Sequence, residues 1–349
     1  MGSIRHKTRL IGISILLLTS TEISAQQDLL FDDKSVLTIK VDLPISKINA
    51  SRKQKSPRQS KGLLSWLDED GTRREVSVKA RARGNFRRKN CINPPLRLNF
   101  KKNEVQNTLF SGQNKVKLVR PCTNRKRAEQ WVVLEYLIYE NYQLLTNAGF
   151  RVRPVTLQYS GDGNGNTPAS QFGFLIEDED DMATRIGGAV LTAKRVRKQA
   201  LDPTALARVQ LFQFMIGNND YSLIRADRGL QCCHNTRLVS NDEGLGIRPA
   251  PYDFDFAGMV DADYATPPPN INIRSVRTRI YRGFCLPQPE MLRAIALFNE
   301  KRALLYQSYQ QSEQLGQSFK RNSIAYLDSF FEIINDPQQL NRKIVSRCR

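Results

Sequence analysis

The hydrophobic period changes once along this chain, and that change restricts its architecture more than any single motif. Residues 36–41, 63–67, 75–82, 96–100, 115–119, 152–159 and 171–177 form short apolar or alternating runs, punctuated by turn residues such as Asp70-Gly71. One helical stretch interrupts them over residues 129–145, where Trp131, Leu134, Glu135, Ile138, Tyr142 and Leu145 recur at helical spacing. From Asp202 onward helices dominate. Asp202 reads as an N-cap with Pro203 at the first helical position, and residues 289–347 read as two or three amphipathic helices broken near Gly316 and at Asp336-Pro337. The glycine-rich stretch 161–166 lacks the lysine of a phosphate-binding loop and has no helix after it, so it reads as a hairpin loop. The expectation is an α+β protein with a β-rich N-terminal lobe over residues 26–180, containing one helix, and a mainly helical lobe over residues 181–349.

The first 25 residues bear on compartment. Arg5, Lys7 and Arg9 precede an apolar run over residues 10–18, and Ile23-Ser24-Ala25 offers small residues where a signal peptidase would cut. The run is far short of the roughly 20 residues that span a bilayer. A cleaved export signal and a periplasmic or extracellular mature chain from about Gln26 are expected, with no transmembrane segment after it. The formal charge is +19; removing three positive residues and Glu22 with the signal leaves +17. Such a surplus favours anionic partners, and export argues against nucleic acid. The six cysteines suit an oxidising compartment, and proximity suggests Cys91 with Cys122, the other four pairing among themselves.

Only two histidines are present, and His6 lies within the signal. Sites built on two imidazoles are therefore excluded, and chemistry must rest on carboxylates, amides and basic groups. Residues 249–258 read Pro-Ala-Pro-Tyr-Asp-Phe-Asp-Phe-Ala-Gly, which in a strand would set Asp253 and Asp255 on one face. A shared divalent cation would relieve their repulsion; a strand end with two solvated acids is the plainer alternative.

Upstream of these acids lie Asp220, in a loop after the Asp202 helix, and Asn235, leading a short strand. Kinase-type phosphotransferases use such a series: an Asp that orients or deprotonates the acceptor hydroxyl, an Asn on the metal, and a second Asp on the metal bridging the nucleotide phosphates. Hard oxygen ligands suit Mg²⁺ or Mn²⁺. For phosphate contact the chain offers Arg97, Lys115 or Lys117, with Glu135 or Glu129 as the ion-pair partner. Arg81, Arg83, Arg87 and Arg88 read equally as a phosphate-binding group or a solvated basic face.

The chain resembles the CotH family of secreted kinase-like proteins at Arg83-Gly84-Asn85, Gly173-Phe174-Leu175-Ile176-Glu177, Asn219-Asp220 with His234-Asn235, and Tyr252-Asp253-Phe254-Asp255. It departs where Phe86-Arg87-Arg88 replaces the small hydroxyl residues usual after Arg-Gly-Asn, and in the long segment between Asp220 and Asn235. The resemblance implies a two-lobed atypical protein-kinase-like fold with ATP and a divalent metal between the lobes. Asp220 would be catalytic, Asn235, Asp253 and Asp255 would face the metal, and Arg83, Arg97, Lys117, Glu135 and Glu177 would line the nucleotide site. The function implied is metal-dependent transfer of a nucleotide phosphoryl group to a hydroxyl of a protein or glycan. Two alternatives stand beside it: an inactive kinase-fold binding protein for an anionic surface partner, and a metal-dependent phosphohydrolase.

Overall fold

A computed structural model describes residue 2 and residues 28–160, 170–227, 229–241 and 246–349. The expected export signal, apart from residue 2, and the glycine-rich loop at 161–166 lie outside the described residues. Seven strands form the first sheet: β1 (Leu37–Asp42), β2 (Ser60–Leu67), β3 (Arg73–Ala82), β4 (Leu96–Asn99), β5 (Lys115–Val119), β6 (Val152–Tyr159) and β7 (Gln171–Ile176). Their order is β1-β2-β3-β4-β5-β7-β6, and β6 returns to pair in parallel with β1, closing a barrel.

That closure overturns the expected two-lobed kinase-like fold. A barrel leaves no open sheet edge of the kind such a lobe would have. The joining contact, Leu37 with Val155 through Val41 with Tyr159, spans more than a hundred residues and is set by register rather than local pattern. Mixed α and β content is what remains of the expectation.

The barrel interior is a closed apolar core in which Ile39, Leu64, Val78, Leu98, Val116 and Leu175 meet. Alternation does this: β3 buries every second residue and turns its charged residues outward. β7 is buried along its whole length because α4 (Lys126–Leu145), fourth after the short helices α1 (Leu29–Asp32), α2 (Ile45–Ala50) and α3 (Phe86–Asn90), packs on its outer face. Phe172 and Phe174 there join a second core, shared with α4.

The remaining elements are α5 (Glu179–Arg185), α6 (Pro203–Met215), α7 (Gln288–Gln310), α8 (Gln317–Asn335) and α9 (Pro337–Lys343), with a small sheet of β8 (Ala189–Val190), β9 (Thr236–Ser240) and β10 (Arg248–Pro251). Asp202 caps α6 by accepting from the Ala205 amide at 2.6 Å, and Asp336 caps α9 from Gln339 at 2.8 Å. Helices α6, α7 and α8 pack around the second core, which also takes the buried side of α4. Disulfides join Cys91 to Cys122, Cys285 to Cys348 and the neighbours Cys232 and Cys233. No described helix is long and apolar enough to cross a membrane.

Candidate functional site

Arg87 stands at the centre of the site. It lies on α3, where Gly84, with φ at +91°, lets the chain turn out of β3. Its Nη1 donates to Glu135 Oε2 at 2.7 Å, and its Nη2 donates to Glu135 Oε1 at 3.0 Å and to Asp253 Oδ1 at 2.9 Å. Its Nε is 3.2 Å from Asp255 Oδ2. Glu135 projects from the middle of α4, and the Asp253 amide donates to the hydroxyl of Tyr139 one turn further along that helix. Tyr264 donates to Asp255 at 3.1 Å.

The two acids do not share a face through strand alternation. β10 stops at Pro251, and Asp253 takes a left-handed backbone, φ +63°. They converge because a turn aims both at one guanidinium. Burial, together with Asp253 and Glu135, pushes Asp255 up to about 8 against the pull of Arg87. Burial also works against the ionised form of Asp253, but Arg87 and Arg83 outweigh it and hold that carboxyl below its usual range.

One oxygen each from Glu135, Asp253 and Asp255 lie within 4.8 Å of one another, a spacing at which carboxylates can hold a divalent ion. The Arg87 guanidinium already lies among them. A metal placed there would have to displace it, stranding a buried arginine, so Glu135 and Asp255 do not fit as metal ligands while Arg87 stays. Asp253 differs: its side chain is 40% exposed, and its Oδ2 has no hydrogen-bond partner among the described residues.

Asp220 and Asn235 form a neighbouring group. Asn235 donates from Nδ2 to the Asp220 carbonyl at 2.8 Å and to Oδ2 at 3.1 Å. His234 Nε2 is 2.8 Å from Asp220 Oδ1, and Nδ1 is 2.6 Å from Asp227. The bond to Asp220, outweighing burial, raises His234 to about 9, so the ring is an imidazolium at neutral pH. The Tyr252 amide donates to the Asn235 carbonyl at 3.0 Å, which places this group beside the Arg87 cluster. No bond joins the Asp253 carboxylate to Asp220 or Asn235 among the described residues.

The third group is cationic. Arg97 and Lys117 pair across β4 and β5, and Arg83 follows β3 on the same side. Lys117 Nζ, almost buried, sits 4.9 Å from the Phe150 ring and 4.0 Å from Glu179. Arg237 on β9 bonds Glu179 at 2.5 Å and the Tyr252 hydroxyl at 2.7 Å. Arg97 reaches Asp178 at 3.4 Å. Burial and the nearby Arg83 charge depress Lys117 to about 8. Burial likewise lowers Arg83, whose guanidinium makes no hydrogen bond or ion pair among the described residues.

No protein-family model matches this chain, and no curated protein matches it.

Of the residues expected to line a nucleotide site, Arg83, Arg97 and Lys117 are brought together, while Glu135 is spent on Arg87. Glu177 is apart from them: fully buried, it accepts from Arg151 and Arg185 and braces the end of β7. Sequence reasoning missed Arg237, Glu179 and the central place of Arg87. The one signal for Arg87 was its departure from the Arg-Gly-Asn pattern, and it is neither solvated nor facing outward. Cavities elsewhere among the described residues include one of about 1180 Å³ beside β1 and Trp66 and one of about 580 Å³ between α4 and α8.

Proposed function

We propose that this protein binds a phosphate-bearing ligand through Arg83, Arg97, Lys117 and Arg237, and that this binding needs no metal among the Glu135, Asp253 and Asp255 carboxylates. The observation that carries the reading is the grouping of these cations: Arg97 and Lys117 pair across β4 and β5, and the Arg83 guanidinium near them makes no hydrogen bond or ion pair among the described residues. Half- to fully buried cations held beside one another cost free energy unless an anion arrives, in keeping with the lowering of both Arg83 and Lys117. Among the described residues Glu179 lies 4.0 Å from Lys117 but is largely committed to Arg237, Asp178 pairs with Arg97, and Arg83 feels the Asp253 charge without an ion pair to it. A doubly charged phosphate group would satisfy what these carboxylates leave over.

Phosphoryl transfer to a protein or glycan hydroxyl is the second reading, favoured by one observation. The Asp220 carboxylate is 35% exposed and fixed in direction by His234 and Asn235. In that reading Asp220 takes the acceptor proton as the acceptor oxygen bonds phosphorus and the nucleotide leaves. Asp253, through its unbonded oxygen, and Asn235 would hold Mg²⁺ or Mn²⁺, which would neutralise phosphate charge when bound.

Calorimetric titration with pyrophosphate and with ATP separates these readings. Binding in EDTA, weakened at least tenfold by Lys117→Met and by Arg83→Met, supports the first. No binding in EDTA would overturn it, whether or not Mg²⁺ restores binding. Labelled phosphate appearing on an acceptor, and lost in Asp220→Asn, would establish the second.

A further inference from the structure

The outer face of the barrel carries more positive charge than the phosphate reading uses. Strand alternation turns one residue in two outward, and the register aligns those residues across four strands. One row runs Lys61, Lys79, Asn99, Lys115 through the β2–β3, β3–β4 and β4–β5 pairings. The next row, two residues along, runs Arg81, Arg97, Lys117. The inward neighbours, such as Val78, Ala80 and Leu98, fill the barrel core, so these side chains lie on the outer face, where Lys61 and Lys79 are exposed, Arg81, Arg97 and Lys115 half-buried and Lys117 almost buried.

Acidic partners serve only one edge. Arg97, Lys115 and Lys117 face Asp178, Asp180 and Glu179 near the start of α5 at 3.4 to 4.0 Å. Lys61, Lys79 and Arg81 have no ion pair among the described residues; the two lysines are exposed and Arg81 is half-buried. With strands about 4.8 Å apart and alternate residues about 7 Å apart, this lattice covers a strip about 14 Å long. A charge lattice that size, left open along one side, is matched by an extended chain of anions rather than by one small ion.

We propose that the outer face of β2–β5 is a docking surface for a linear acidic polysaccharide. Charge complementarity sets the sign of the partner. Its class follows from what stands beside the cations. The two rows contain no aromatic side chain on which a nucleic-acid base could stack, the Phe150 ring near Lys117 being buried, and their neutral member, Asn99, donates from Nδ2 to the Lys79 carbonyl at 3.4 Å and keeps its Oδ1 to accept from a sugar hydroxyl. A polymer there would run toward Lys117, but its binding does not depend on the phosphate reading, because Lys61, Lys79 and Arg81 stand outside that group.

The test uses the full mature chain with a size-defined heparin oligosaccharide and polygalacturonate as probes. A single-stranded DNA of matched charge is the comparison. The triple variant Lys61→Glu, Lys79→Glu, Arg81→Glu should keep its melting temperature, because all three side chains point out of the barrel. It should lose at least tenfold in glycan affinity at 0.1 M salt. A charge-matched control on the C-terminal helical segment, Arg321→Glu with Lys343→Glu and Arg347→Glu, should lose less than threefold, and wild-type binding should weaken steeply with added salt. Lys117→Met, which tests the phosphate site, should leave most glycan affinity in place. The proposal is overturned if the triple variant binds glycan as the wild type does, if the control loses as much, or if DNA binds more tightly than both glycans.

Discussion

Arg87 bonds three carboxyl groups from two distant parts of the chain, so its removal strands buried acids rather than deleting one contact. Arg87→Met should cost about 3–5 kcal/mol, measured by urea unfolding. Adding Glu135→Gln and Asp255→Asn in the same chain should recover much of that loss, because two of the stranded acids then go too. Lys117 supplies a pH signature. Its folded-state value of about 8 lies below the ordinary 10.5, so between those two pH values the unfolded chain binds a proton that the folded chain has released. Stability from this group therefore rises with pH across that window, and the rise should vanish in Lys117→Met. Phosphate affinity should move the opposite way, falling as pH passes about 8 and the cation is lost. At this scale residue types were legible but partners were not. That Asp253 and Asp255 need a countercharge could be read from Asp253-Phe254-Asp255, but the countercharge expected was a divalent metal; the group that meets both acids is Arg87, which depends on a turn at Gly84 and on contacts 48 and 166 residues away.

Helices were the most readable elements. The Trp131 periodicity, the Asp202-Pro203 start and the breaks at Gly316 and Asp336 all correspond to helix features, because caps and period are local properties. Asp202→Ala should accordingly cost about 1 kcal/mol by thermal unfolding, the ordinary worth of a lost N-cap. The stretch after β10 was less readable: an apolar, aromatic sequence imitates a strand, but Asp253 adopts a positive φ that no alternation pattern reveals. The Cys91–Cys122 disulfide ties the end of α3, which carries Arg87, to the segment after β5. It closes a loop with a sequence separation of 31, so Cys91→Ser with Cys122→Ser should lower stability by about 3 kcal/mol.

Across the whole molecule, a closed barrel and a helical core meet along β7 and α4, and the candidate site sits where α3, α4, β5 and the turn after β10 come together. Closure was not legible because the parallel β1–β6 pairing is a long-range event, encoded only as two ordinary strand-like runs. The antiparallel register of β2–β5 aligns the outward cations into rows, so the outer charge lattice and the Arg97–Lys117 part of the phosphate group are both consequences of it. The most direct test of the account is a crystal of the protein soaked with pyrophosphate and Mn²⁺, with anomalous scattering used to locate the metal. The account predicts pyrophosphate held by Lys117 and Arg83, Arg87 still bonded to Glu135, Asp253 and Asp255, and no anomalous peak among those three carboxylates. Manganese bound between them, with Arg87 swung out, would contradict it.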